Sequence, residues 1–157
     1  INKKVFLCMA SFNSYVNSVG FIRECEIIKG SGGDIIGKFK NYVTNNKEGI
    51  NSILIFEITP KNLQYRYFSQ GPCFFYSEIE EEGFLREGQR LFFGSQGFNS
   101  LLDLTNVDRE LLGSGIPIKE IFNDTFVGLN GLKEGRFLPT DATMICLEVS
   151  KNTIKEV

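Results

Sequence analysis

The sequence predicts an α+β fold: an antiparallel β-meander with a late helical insert and a closing C-terminal strand. Three observations lead there. Only two alanines occur, Ala10 and Ala142, against 15 phenylalanines and many isoleucines. Alanine favours helices because it loses no side-chain entropy there, whereas Phe and Ile suit a pleated, half-buried surface. Glycines punctuate short apolar-aromatic runs about every ten residues, a spacing typical of antiparallel strands. Helical spacing dominates only after residue 98, and helices gathered late argue against alternating α/β units.

The elements follow in order. Residues 4–10 and 21–29 are strand-like, with Gly30-Ser31-Gly32-Gly33 as a loop between the second of these and 35–43, which reads as strand or helix. A hairpin centred on Gly32 sets Glu26 opposite Lys38, Glu24 opposite Lys40 and Cys25 opposite Phe39. Opposite charges on one face and an apolar pair on the other suit a half-buried sheet, so 22–28 and 36–42 are expected to pair as antiparallel strands. Residues 52–58, Ser-Ile-Leu-Ile-Phe-Glu-Ile, carry the strongest strand pattern. Thr59-Pro60-Lys61-Asn62 is a turn with proline where a type I turn favours it. Two aromatic strands follow at 63–69 and 73–79, then another at 89–93. Leu101, Leu104, Leu111 and Leu112 suggest a helix or two short turns. Residues 117–129 read as a helix with Pro117 in its first turn; Ile118, Ile121, Phe122, Phe126 and Leu129 share one face. Ile145, Leu147 and Val149 alternate in a final strand over 143–149.

The 157 residues fit one domain, 1–157, burying roughly 70% of the surface exposed on unfolding. No apolar run approaches the ~20 residues needed to span a bilayer. Histidine is absent. That removes the commonest general base and zinc ligand and excludes Ser-His-Asp and Cys-His hydrolases. Cys8, Cys25, Cys73 and Cys146 are scattered without a Cys-x-x-Cys pair, and read as free core thiols; Cys25 and Cys146 are expected in the sheet and not joined to each other. The net charge is −2 and no basic face is visible, which argues against a duplex nucleic-acid partner. The acidic run Glu78 to Glu82 reads as a solvated strand end, or as a contact for a basic partner or a divalent cation.

Four motifs carry possible chemistry. Gly32-Gly33-Asp34-Ile35-Ile36-Gly37-Lys38 matches the Gly-x-x-x-x-Gly-Lys of a phosphate loop, but Phe39 stands where the Mg²⁺-binding Ser or Thr belongs. Tyr65, Arg66, Tyr67, Phe68, Phe74, Phe75 and Tyr76 can build an aromatic surface if their strands are adjacent. By period-two alternation Tyr65 and Tyr67 share one face, expected to be accessible, and Phe68 turns to the core. Leu138-Pro139-Thr140-Asp141-Ala142-Thr143-Met144-Ile145, after Gly131 to Gly135, resembles the last strand of the FK506-binding type of prolyl isomerase over about 20 residues. The chain departs from that family elsewhere, lacking its Trp-bearing helix entry and its Ala-Tyr-Gly loop. Asn123-Asp124-Thr125 is a formal glycosylation acceptor inside a predicted helix.

These readings point to a non-catalytic binding or structural module, a subunit of a larger assembly. Its partner-binding residues would be Tyr65, Arg66, Tyr67, Phe74 and Tyr76, favoured types at interface hot spots. The partner would be another protein or a second copy of the chain. Alternatives are a histidine-independent enzyme of the prolyl-isomerase kind, or a carrier of a small ligand. No cofactor and no metal are implied.

Overall fold

A computed structural model describes residues 3–76, 79–102, 115–131 and 142–150. The elements run β1 (Val5–Phe12), α1 (Tyr15–Ser31), α2 (Ile35–Asn45), a 3-10 turn (Lys47–Gly49), β2 (Ile50–Thr59), β3 (Gln64–Gln70), β4 (Phe74–Tyr76), β5 (Glu82–Phe84), β6 (Arg90–Gly94), α3 (Gln96–Leu102), α4 (Ile118–Gly131) and β7 (Met144–Glu148). The fold is α+β. A four-stranded antiparallel meander, β1-β2-β3-β5, and a three-stranded antiparallel sheet, β4-β6-β7, fall in two compact units. The first unit holds residues 1–73 and 79–85, the second 74–78 and 86–157.

In the first unit, β2 is the central strand. Eight of its residues, Ser52 to Thr59, are buried in an unbroken run, as expected for a strand covered on both faces. It pairs with β1 (Cys8 opposite Ile55) and with β3 (Ile55 opposite Phe68). The β2–β3 turn contains Pro60 as expected and closes through Leu63, whose φ of 58° is held by its N–H on the Thr59 carbonyl at 2.9 Å. One face of the sheet presents Phe6, Ala10, Phe12, Ile53, Ile55 and Phe68 to α1 and α2, which contribute Phe21, Cys25, Ile28, Ile35, Ile36, Phe39, Tyr42 and Val43.

The expected hairpin of strands over 22–28 and 36–42 is therefore corrected: both segments are helices. Ser14 caps α1 by accepting from the Asn17 N–H, and Asp34 caps α2 by accepting from the Gly37 N–H. Such caps satisfy N–H groups that have no partner within the helix. Phe21, Cys25 and Ile28 recur at i, i+4 and i+7, and Ile35, Ile36, Phe39 and Val43 at i, i+1, i+4 and i+8, both helical spacings. Gly32 and Gly33, with φ of 63° and 76°, reverse the chain between the helices. The reversal was legible, but it joins helices.

In the second unit, β6 lies between β4 and β7, and Leu91, Phe92 and Phe93 are fully buried. Phe92, Phe98 and Ile121 form its core, flanked by Ile116, Ala142, Met144 and Cys146. Ser95 joins two elements: its Oγ accepts from Phe98 N at the start of α3 and from Thr143 N before β7. The helix expected over 117–129 is α4, and the closing strand is β7. Leu104, Leu111, Leu112 and Leu138 to Asp141 lie outside the described residues.

Candidate functional site

The aromatic residues singled out from the sequence lie on strands of two different sheets. β3 neighbours β2 and β5, whereas β4 neighbours β6 in the other sheet. Tyr65 is not accessible, contrary to expectation: it is 5% exposed and stacks on Phe56 with ring centroids 5.6 Å apart and planes 10° apart. Space for its ring is left by Gly83 on β5, directly opposite in the register. A Cβ there would stand 3.0 Å from the Tyr65 hydroxyl. Tyr67 is half-buried, and its N–H donates to the Glu81 carbonyl at 2.8 Å. Phe68 packs against the helix-side core as expected, with the Lys40 ammonium 5.5 Å from its ring centroid. Phe74 and Tyr76 lie in β4, opposite Gly94 and Phe92.

Arg66 belongs to a charge cluster that sequence reasoning missed. Its register partner is Glu57 on β2, a carboxylate with only 5% of its side chain exposed. Glu57 Oε1 accepts from Arg66 Nε at 3.2 Å, from the Arg66 terminal nitrogen at 3.1 Å and from Lys4 Nζ at 3.1 Å. The same Arg66 nitrogen reaches Asp34 Oδ1 at 3.0 Å. Burial works against the Arg66 charge, but the adjoining carboxylates outweigh it and hold its pKa above the usual arginine value. Asp34 is held below the usual carboxylate range, first by the Gly37 N–H and then by Arg66. Glu57 Oε2 is buried and accepts no hydrogen bond from a described residue. The sequence signal was the alternation itself, which puts Lys4, Glu57 and Arg66 on the face carrying Phe6, Ile55 and Phe68.

The glycine loop does not form a phosphate cradle. Such a loop follows a strand; this one follows α1. Gly37 lies in the first turn of α2, and Lys38 Nζ is turned back onto Ser31 Oγ at 2.6 Å and the Gly32 carbonyl at 2.7 Å. The acidic run leads into β5, with Glu82 opposite Arg66 and the Glu81 carboxylate 3.6 Å from Lys40. Asn123 to Thr125 lie within α4, where Thr125 is buried. Cys25 and Cys146 are half-buried and Cys25 lies on a helix, which corrects the expectation of two thiols buried in the sheet. All four cysteines are free.

Two surfaces of the first unit remain. An open groove of about 830 Å³ lies between the start of α1 and the end of α2, lined by Asn13, Asn17, Tyr42, Asn45 and Asn46 among others. The second surface is the outer edge of β1. Among the described residues that strand pairs with β2 alone and ends the sheet. Its eight residues, Val-Phe-Leu-Cys-Met-Ala-Ser-Phe, include no charge and no proline. No family model, no curated protein and no solved structure matches the chain.

Proposed function

We propose that this chain is a non-catalytic interaction module that joins a second copy of itself by antiparallel strand addition at β1. The observation that carries the reading is the contrast between the two ends of the meander. A free sheet edge is a template for another strand, and monomeric proteins blunt such edges with short strands, charges or proline. The β5 end is blunted: it is three residues long, starts at Glu82 and follows Glu80 and Glu81. The β1 end carries none of these devices over Val5 to Ala10, and Val5 and Cys8 are exposed on it. An uncharged strand can pair with its own two-fold copy without setting like charges opposite one another. Such pairing would join two four-stranded sheets into one.

The test is light scattering across a range of concentrations. The expected result is a dimer whose dissociation constant rises at least tenfold in Val5→Lys, with an unchanged far-ultraviolet circular dichroism spectrum. A chain that stays monomeric at millimolar concentration, or a dimer indifferent to both Val5→Lys and Leu7→Lys, overturns the proposal.

The groove favours a second reading, a carrier of a small polar ligand. Its volume is in the range of ligand pockets, ~300–1,000 Å³. Its amides are organised in advance, with Asn17 Nδ2 on Asn13 Oδ1 at 2.6 Å and Asn46 Nδ2 on the Tyr42 carbonyl at 2.8 Å. Chemical-shift changes confined to these residues on titration with a neutral, multiply hydroxylated compound would support it.

A further inference from the structure

We propose that the two copies meet a second time above the joined sheet, where α1 packs antiparallel against α1 of the other copy with Ile22 at the two-fold axis. This inference rests on the strand addition proposed at β1. Antiparallel pairing of two β1 edges has its two-fold axis along the sheet normal, so both helix layers lie on one face of the joined sheet. The helix next to that edge is α1, which packs on β1, whereas α2 packs on β2 and β3. Phe21, Cys25 and Ile28 of α1 share one core cluster with Phe6, Ala10 and Phe12 of β1 and Ile53 and Ile55 of β2. A helix seated over these two strands stands about one strand spacing, ~4.8 Å, from the axis. Its copy then lies about 9–10 Å away, the usual separation of packed helices.

Three contacts fix which flank of α1 faces α2. The Phe21 and Tyr42 ring centroids are 5.8 Å apart, the Lys38 ammonium donates to Ser31 Oγ at 2.6 Å, and Asn17 and Gly20 line the groove between the two helices. At about 100° per residue, the opposite flank carries Tyr15, Ser18, Ile22, Cys25 and Lys29, alternately three and four residues apart. That is the spacing of a helix-pairing seam. Tyr15 is 82% exposed on it and Ile22 60%. One exposed apolar side chain is ordinary; two on one seam, beside an uncharged strand edge, form a continuous surface with that edge.

The seam is complementary to itself. β1 has eight residues and α1 seventeen, each element being about 26 Å long. An axis through the middle of β1 therefore passes the middle of α1, at Ile22. Antiparallel pairing about Ile22 sets Tyr15 opposite the partner's Lys29 and Ser18 opposite the partner's Glu26. A lysine ammonium on a tyrosine ring and a hydroxyl donating to a carboxylate are both favourable. No two like charges stand opposite each other in this register.

The experiment measures the dissociation constant of the full chain by light scattering in Ile22→Lys and Ile27→Lys. The two side chains are almost equally exposed, 60% and 63%, but Ile27 lies about 140° round the helix from Ile22. Ile22→Lys sets two ammonium groups together at the axis and is expected to raise the dissociation constant at least tenfold, whereas Ile27→Lys is expected to change it by less than twofold. The uncharged Ile22→Ser is expected to raise it about threefold, which keeps the test open if the lysine variant folds poorly. A dimer weakened by Val5→Lys but indifferent to both Ile22 variants overturns the helix contact and leaves strand addition standing. Equal weakening by Ile22→Lys and Ile27→Lys also overturns it. A chain that stays monomeric, or a dimer whose β1 amides exchange no more slowly than in the monomer, overturns strand addition and the helix contact with it.

Discussion

At the residue scale, Glu57 is a buried carboxylate of the first unit. Its charge is compensated by Arg66 and Lys4 through one oxygen. Removing one partner of a buried pair leaves charge uncompensated and costs about 3–5 kcal/mol. In Arg66→Ala the Lys4 ammonium still compensates Glu57, so the expected loss in chemical denaturation is smaller, about 1.5–3 kcal/mol for a hydrogen-bonded charge, and no measurable loss would contradict the cluster's geometry. Asp34 is different, because its side chain is 62% exposed. Its depressed pKa means that its contribution is present above the unfolded value of about 4 and is lost as pH falls through the lower folded value. Asp34→Asn retains a capping oxygen. It is expected to flatten the fall of stability below about pH 4, an effect kept small by solvent screening and readable from melting temperatures over that range. Gly71 and Gly88 make a further contrast. Both have positive φ, 77° and 76°, but a Cβ on Gly71 would collide with the Asn51 carbonyl oxygen, whereas one on Gly88 meets open space. Gly88→Ala is expected to cost about 1–2 kcal/mol from backbone conformation alone, and Gly71→Ala clearly more; equal losses in thermal melts would contradict the contact.

At the scale of elements, α1 offers the sharpest check on the corrected reading. Gly20 lies inside this helix with open space around its Cβ position. Gly20→Ala is expected to stabilise the protein by about 0.5–1 kcal/mol, the helix-propensity difference; destabilisation would argue against the helix. Three strands of the meander, β1 to β3, were legible because β2 combines a long apolar run with a Pro60 turn that fixes its end; β5 was not, and the strand expected over 73–79 is the shorter β4 of the other sheet. The helix α1 was not, since Ile22 and Ile27 are 60% and 63% exposed and blur the three- and four-residue spacing of Phe21, Cys25 and Ile28. Helical spacing is clear in Ile35, Ile36, Phe39 and Val43. Charge pairs that suited a hairpin obscured it, although Lys38 and Lys40 bond to other groups. Alternation gave the correct partition of β3, with Arg66 and Phe68 on the helix side. Equating tyrosine with an accessible face failed because Tyr65 finds Phe56 to stack on and a glycine opposite. The Arg66–Glu57 pair depends on β2–β3 register, and the Asp34 contact on where α2 starts; neither spacing appears in a linear reading.

At the scale of the molecule, the meander has one blunted end and one open end. The mildly acidic net charge of −2 sets up little repulsion between copies, so it does not oppose the strand addition proposed at β1. Hydrogen exchange at the Val5 to Ala10 amides, followed from dilute to concentrated protein, tests this most directly. Strand addition turns outward-facing N–H groups of β1 from solvent to a partner strand, so their exchange should slow as concentration rises while that of β5 stays constant. Exchange in β1 that is independent of concentration would contradict the account.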